Sequence, residues 1–338
     1  MCLVKGPYIG PMRHTIILIL WLLVPRDSLS VMCWNVENFF DWRNDSTTVS
    51  DTEFSSRGER HWTWKRFQAK ANAFAKALFW VEGETGRLPD IVGLEEVENA
   101  FVLRQVLRKT ALRKTDYEYV HYDSPDRRGI DVALLYRSSA LELIDSKPCH
   151  LYEADTVMAT RDILLCVFRR KDEAKSPPFA VLVNHHPSKY GGASESEPRR
   201  RIAVDRLRFL ADSLAAEGID RIIAGGDFND TPDNPVFLRL EPALKPLHTA
   251  LSRRGEGTIK YDGKWGLIDH FYVSPGLLDP PTGRESASAR MRILRIPFLL
   301  ARDNAHSGDK PLRTYTGPRP TGGVSDHLPI LLEFVLPP

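Results

Sequence analysis

Six points along the chain place oxygen- or imidazole-bearing side chains beside apolar runs. CWNVEN carries Asn35 and Glu37 two residues apart; GLEEVEN carries Glu95, Glu96 and Glu98; VNHHPSK carries Asn184, His185 and His186. GGDFND carries Asp227 and Asn229, GLIDHFYVS carries Asp269, and GGVSDHLPI carries Asp326 and His327. Taken singly, each has an ordinary explanation: Asn and Asp cap turns, Glu solvates loops, and a His at a strand end is usually just hydrogen-bonded. Together they suit one purpose. A hard divalent ion such as Mg²⁺ takes carboxylates, waters and substrate phosphate, and Asn35, Glu96 and Asp326 can supply its protein oxygens. No Cys/His cluster with zinc spacing competes. Hydrolysis of a phosphate ester further needs an oriented water, neutralised phosphoryl oxygens and help for the leaving group. Asp227 can orient and deprotonate that water, Asn229 can donate to a phosphoryl oxygen, and Asp269 with His327 forms a carboxylate–imidazole pair that supplies positive charge.

Such groups are useful only if rigid elements aim them. Runs rich in Val, Ile, Leu and aromatics, bounded by Gly, Pro or Asp, predict strands at Val31–Val36, Asp90–Val97, Tyr117–Tyr122, Asp131–Arg137 and Asp162–Phe168. The same signal marks Phe179–His186, Arg221–Gly226, His270–Ser274 and Leu328–Leu336. Trp64, Phe67, Ala71, Phe74, Ala75 and Leu78 share one helical face, and Ile202, Val204, Leu207, Leu210 and Leu214 share another on a helix starting near Pro198. Strands mixed with helices predict an α/β chain with two packed sheets covered by helices. Asp41–Arg60 and Ser274–Arg290 read as polar surface loops. Gly225 and Gly226 are expected to let Asp227 and Asn229 approach a phosphate closely.

A chain of 338 residues with 42% apolar residues is long enough for one large core, and a single catalytic domain over residues 31–338 is expected. Before it, Lys5 and Arg13 precede the apolar run Thr15–Val24, about half the length of a membrane span, with small residues at Ser28 and Ser30. This reads as a signal peptide, residues 1–30, and predicts export to the periplasm or the medium. An uncleaved anchor or buried helix is the competing reading. Without residues 1–30 the acidic and basic residues balance, which argues against a general polyanion binder and confines any nucleic-acid contact to a local patch. Cys33, Cys149 and Cys166, an odd number in strand-like surroundings, are expected as buried thiols.

The ordered set CWNVENFFD, PDIVGLEEVEN, RRGIDVALLYR, VNHHPSKYGG, GGDFND, LIDHFYVS and GGVSDHLP resembles the endonuclease/exonuclease/phosphatase superfamily, and Glu53–Lys70 resembles its secreted bacterial members. The resemblance runs from Val31 almost to the C-terminus. It implies a four-layer α-β-β-α sandwich of two mainly antiparallel sheets flanked by helices, with Mg²⁺-dependent phosphoester hydrolysis at one end and Mn²⁺ as a substitute ion. By the same resemblance Asn35 and Glu96 hold the metal, Glu37 stands where relatives have a metal-associated acid, and Asp326 is the acid beside it. Asp227 and Asn229 handle water and phosphate, Asp269 orients the catalytic His327, and His185 lies near the leaving group. Arg128 and Asn184 are taken as substrate contacts, His186 as wall, and Asp131 as a structural partner of the Arg128 loop.

Three functions compete. Nucleic acid is the leading substrate, on a basic rim of Arg127, Lys189 and Arg199 to Arg201 that would hold backbone phosphates. A phospholipid head group or sugar phosphate is the second, for which Trp42, Trp62 and Trp64 would have to meet a membrane. A binding protein with a degenerate cleft is the third, disfavoured because every catalytic position holds a residue able to do its job.

Overall fold

The computed structural model describes residues 28–44, 48–171, 176–189, 192–278 and 289–335. The N-terminal apolar run and most of Ser274–Arg290 lie outside these residues. The strands of the two main sheets are, in chain order, β1 Ser28–Phe39, β2 Ile91–Val97, β3 Tyr117–His121, β4 Asp131–Arg137, β5 Leu141–Cys149 and β6 Ile163–Arg170. They continue with β7 Phe179–His185, β8 Ile222–Asp227, β9 Lys245–Pro246, β10 Asp269–Val273, β11 Ala289–Ile293 and β12 Ile330–Val335. One sheet has the order β11-β12-β1-β2-β4-β3 and the other β9-β10-β8-β7-β6-β5. Each contains one parallel pair, β1 with β2 and β7 with β8, and is otherwise antiparallel.

Three helices complete the layers: α1 Trp64–Thr85, α2 Ala100–Lys109 and α3 Ala193–Ala216. Trp34 and Leu135 of the first sheet pack with Phe67, Phe74 and Leu78 of α1 and Val102 of α2. Leu182 and Ala224 of the second sheet pack with Val204, Leu207 and Leu214 of α3. A third cluster, including Val31, Cys33, Leu134, Val183, Ile223 and Phe271, fills the space between the sheets. The expected four-layer α-β-β-α sandwich is the architecture observed.

Gly93 and Gly225 let the sheets close over Cys33, because a Cβ at either would stand 2.9 or 2.8 Å from its Sγ. That corrects the reading of GGDFND. Gly225 is demanded by packing against Phe271 and Cys33, and Gly226, at φ +129°, abuts the Asn184 carbonyl. Packing alone accounts for both glycines.

Some boundaries also differ. β1 begins at Ser28, not Val31, and its first residues pair with β12, while the Ser30 amide donates to Asp90 at 2.8 Å. α3 starts five residues ahead of Pro198. Asp41–Arg60 is partly folded: Val49–Glu53 is a short helix, Phe54 stacks on Phe40 at 4.7 Å, and the Glu98 carboxylate accepts the buried Asp41 amide at 2.7 Å. The three cysteines are buried and free. Among the described residues no helix is long and apolar enough to cross a membrane.

Candidate active site

The register of the second sheet sets His185, Asp227 and Asp269 in one row, since Asp227 pairs with His185 on β7 and with Asp269 on β10. Strand alternation then carries all three side chains to the same face. Asn184, one residue off, falls on the other face, fully buried, with its amide donating to the Leu182 carbonyl at 2.8 Å. The structure therefore does not bring Asn184 to the cleft as a substrate contact.

Asp227 is the hub. Its Oδ1 accepts the Asn229 amide at 2.8 Å, and its Oδ2 accepts Asn35 Nδ2 at 3.0 Å and Asn229 Nδ2 at 3.3 Å. His185 Nε2 and His327 Nε2 stand 3.5 and 3.9 Å from the same Oδ2. Burial foremost, aided by Asp269, raises its pKa to about 7 against the attraction of His327. His327 Nδ1 donates to both Asp269 oxygens, at 3.1 and 2.9 Å, and Asp269 also accepts the Thr258 hydroxyl. Burial opposes charge on His327, but Asp269 and Asp227 hold its pKa well above the ordinary imidazole value. His185 is driven the other way, by burial and then by Arg161 and Arg128. The surroundings thus favour the charged form of His327 and the neutral form of His185, a pairing suited to separate roles in proton transfer and charge stabilisation.

Strained backbone surrounds these groups. Glu37, Asn38, Glu96 and Asn229 have φ between +46° and +66°, a region costing non-glycine residues about 1 kcal/mol or more each. Site side chains fix those turns: Asn35 Oδ1 accepts the Glu37 amide at 2.9 Å, Glu96 Oε2 the Asn38 amide at 2.8 Å, and Asp227 the Asn229 amide.

The donor set fits a hard divalent ion. Glu96 Oε1 has Arg128 Nη2 at 3.8 Å and His185 Nε2 at 4.0 Å, both beyond hydrogen-bond reach, and Asn35 Oδ1 accepts only the Glu37 amide among the described residues. Both oxygens keep lone pairs for an oxygen-seeking ion. Asp326 is part-exposed and pairs with Arg313 at 3.0 Å, and Glu37 is bound to the same arginine. Asp227, Asp269 and His327 also lie close enough to share an ion, but Asp269 is already engaged by His327 and Thr258. Asp131 is structural, bound to His121 at 3.1 Å and to Ser124.

Several contributors escaped sequence reading. Arg161, buried, donates to the His186 carbonyl at 2.6 Å and pairs with Asp126 at 3.0 Å, bracing the loop behind Asn229; its position next to an apolar strand was the available signal. Arg313 and Lys70 show no local signal, because their partners are brought to them by the fold: Glu37 lies 276 positions from Arg313, and Lys70 reaches Glu37 across 33 positions and Thr314 across 244. Glu95, named among the strand-end acids but given no role there, is fully buried with neither oxygen hydrogen-bonded, and burial followed by Asp269 and Asp227 raises its pKa well above the carboxylate range.

The endonuclease/exonuclease/phosphatase family description matches residues 30–335, nearly the whole described chain. The chain belongs to the endonuclease/exonuclease/phosphatase family. Members of this family are phosphoric ester hydrolases that depend on a divalent metal, and the carboxylate and histidine groups above are placed to bind one. The human nocturnin catalytic domain with bound sulfate is similar in fold, at 18% identity and TM-score 0.55, over 91% of this chain and 94% of that one. A mannosyl-6-phosphatase from Bacteroides thetaiotaomicron aligns at 17% identity and TM-score 0.55, over 90% and 98%. D. rerio TDP2 in complex with a single-stranded DNA product aligns at 15% identity and TM-score 0.52, over 91% and 98%. No curated protein sequence matches.

Proposed function

We propose that this family member is an exported, Mg²⁺-dependent phosphoesterase that hydrolyses phosphodiesters, with nucleic acid as substrate. The observation that carries the reading is Asp227, oriented by Asn35 and Asn229 and faced by His185 and His327 within 4 Å. Asn35 and Glu96 would hold the metal, which when bound supplies Lewis-acid neutralisation of the phosphoryl oxygens. Asp227 orients a water and takes its proton, since its amide partners leave the carboxylate in one fixed pose. Asn229, whose amide is oriented by the His186 carbonyl at 2.9 Å, would lie beside the phosphoryl group. His327, held charged by Asp269, offsets negative charge developing on phosphate, and neutral His185 can donate toward the leaving oxygen.

Nucleic acid is supported by exposed Arg127, Arg128, Arg199 and Arg201, and by the DNA product held by the similarly folded TDP2. The basic rim is smaller than the sequence suggested, because Lys189 and buried Arg200 are both paired with Asp230, at 2.6 and 3.0 Å. Export rests on Lys5, Arg13 and the Thr15–Val24 run, and a cut upstream of Ser28 keeps β1 whole.

A sugar phosphate is the second reading, favoured by a cavity of about 150 Å³ beside Glu37 lined by Phe54, Arg60, Arg313 and Tyr315. The phospholipid variant loses its aromatic support: Trp62 is buried with Nε1 donating to Phe40 at 2.7 Å, and Trp42 packs on Trp64 and Phe67 at 4.6 and 5.0 Å. Trp64 itself is 40% exposed rather than core, yet it is stacked on Phe67 at 5.8 Å. Product release from plasmid DNA, RNA, a hexose 6-phosphate and sphingomyelin, each with Mg²⁺ and with EDTA, tests the assignment. Metal-dependent cleavage of DNA or RNA is expected. Release from the sugar phosphate alone would replace it with the second reading, and silence from a folded protein would leave a binding role.

A further inference from the structure

The two acids expected beside the metal, Glu37 and Asp326, are joined by a guanidinium. Arg313 donates from Nε and Nη2 to Glu37 Oε1 at 3.1 and 3.0 Å, and its Nη2 stands 3.0 Å from Asp326 Oδ2. The other Glu37 oxygen accepts the Thr314 amide at 2.6 Å. Buried Lys70 donates to the Glu37 carbonyl and, at 3.0 Å, to Thr314 Oγ1, so the strand turn and the Thr314 segment are clamped together. Three donors therefore serve one carboxylate, and one guanidinium bridges both acids. Glu96 Oε1 is the contrast, with no hydrogen-bond donor in reach among the described residues.

We propose that Arg313 is a fixed internal cation for the Glu37–Asp326 pair, so that the chain binds a single divalent ion, on Asn35 and Glu96, and forms no second metal site. A guanidinium has a planar fork that binds carboxylates in fixed geometry and stays charged at all relevant pH. A second divalent ion at Glu37 and Asp326 would have to displace those bonds and sit beside the displaced positive charge. Arg313 is thus a positioning residue that sets metal stoichiometry. The inference rests on the metal-dependent reading above.

The test is titration of Mn²⁺ into the metal-stripped full chain, followed by calorimetry and by water-proton relaxation, neither of which requires turnover. One equivalent is expected for the wild type and for Arg313→Lys, and two for Arg313→Met. Two equivalents in the wild type, or one in folded Arg313→Met, would overturn the inference while leaving the phosphoesterase reading intact. No binding by the wild type would overturn both. Should Arg313→Met fail to fold by circular dichroism, Glu37→Gln decides: Mn²⁺ affinity within about threefold of wild type supports the inference, and a tenfold loss, about 1.4 kcal/mol, contradicts it.

Discussion

Replacing His248 by phenylalanine should make the protein less sensitive to acid, by an amount that follows from its surroundings. His248 packs on His270 at 4.4 Å, His270 on Phe228 at 5.2 Å, and Phe228 on His186 at 4.6 Å, forming a stack behind the Asp227 loop. Burial lowers the His248 pKa from 6.5 to about 4, only partly offset by a bond to the Phe271 backbone. The folded value lies below the unfolded one, so the unfolded chain takes the proton first. The stability tied to the neutral ring is present above pH 6.5 and is lost as pH falls toward 4. The full shift corresponds to about 3 kcal/mol, of which about 2 kcal/mol falls between pH 7.5 and 5. Other groups act in that window with the opposite sign. Burial and Asp51 raise Glu98 to about 10, so acidification relieves its cost, and the prediction is therefore a difference between variants. Urea denaturation of wild type and His248→Phe at both pH values should show the variant gaining about 2 kcal/mol relative to wild type on acidification. A difference that does not change with pH would refute burial of a neutral imidazole as the cause.

Gly225→Ala should destabilise the protein by about 1–3 kcal/mol, because its methyl meets the Phe271 ring and Cys33 where the sheets close, and a thermal melt of the variant reads the loss; an unchanged melt would show that the sheets can part there. Glu95→Gln, compared in EDTA at pH 7, should raise stability, since burial, Asp269 and Asp227 push the Glu95 pKa well above the carboxylate range and the fold must take up a proton that a glutamine, neutral in both states, does not need. A lower melting temperature would mean that the Glu95 carboxyl makes a bond the amide cannot replace.

Eight of the nine apolar runs were legible because their strands are central and largely buried, as β8 and β7 are throughout their length, and the ninth, edge strand β3, was legible from its Tyr and Val residues. β5 was not: it is an edge strand with exposed positions, a register shift between Leu143 and Asp145, and Pro148 near its end. α2 was missed although Asn99 caps it and Val102, Leu103 and Val106 give it a buried face, because the window is short and follows a run of glutamates. At the site, residue types at strand ends singled out Asp227, Asn229, Asp269 and His327; the register of the second sheet sets Asp227 beside Asp269, and the turn before β12 of the other sheet brings His327 onto Asp269. The same reading could not separate Asn184 from His185, since one position along a strand reverses the face. Nor could it find Arg313 or Lys70, whose roles exist only through contacts with Glu37 made by distant parts of the chain.

The central claim is that Asp227 and His327 perform metal-dependent phosphoester hydrolysis. Turnover of bis-p-nitrophenyl phosphate with Mg²⁺ and with EDTA, by wild type, Asp227→Asn and His327→Ala, tests it most directly. Metal-dependent hydrolysis that falls at least about 100-fold in each folded variant is the result predicted. Hydrolysis that survives EDTA, or that both variants retain within about tenfold of wild type, would contradict it.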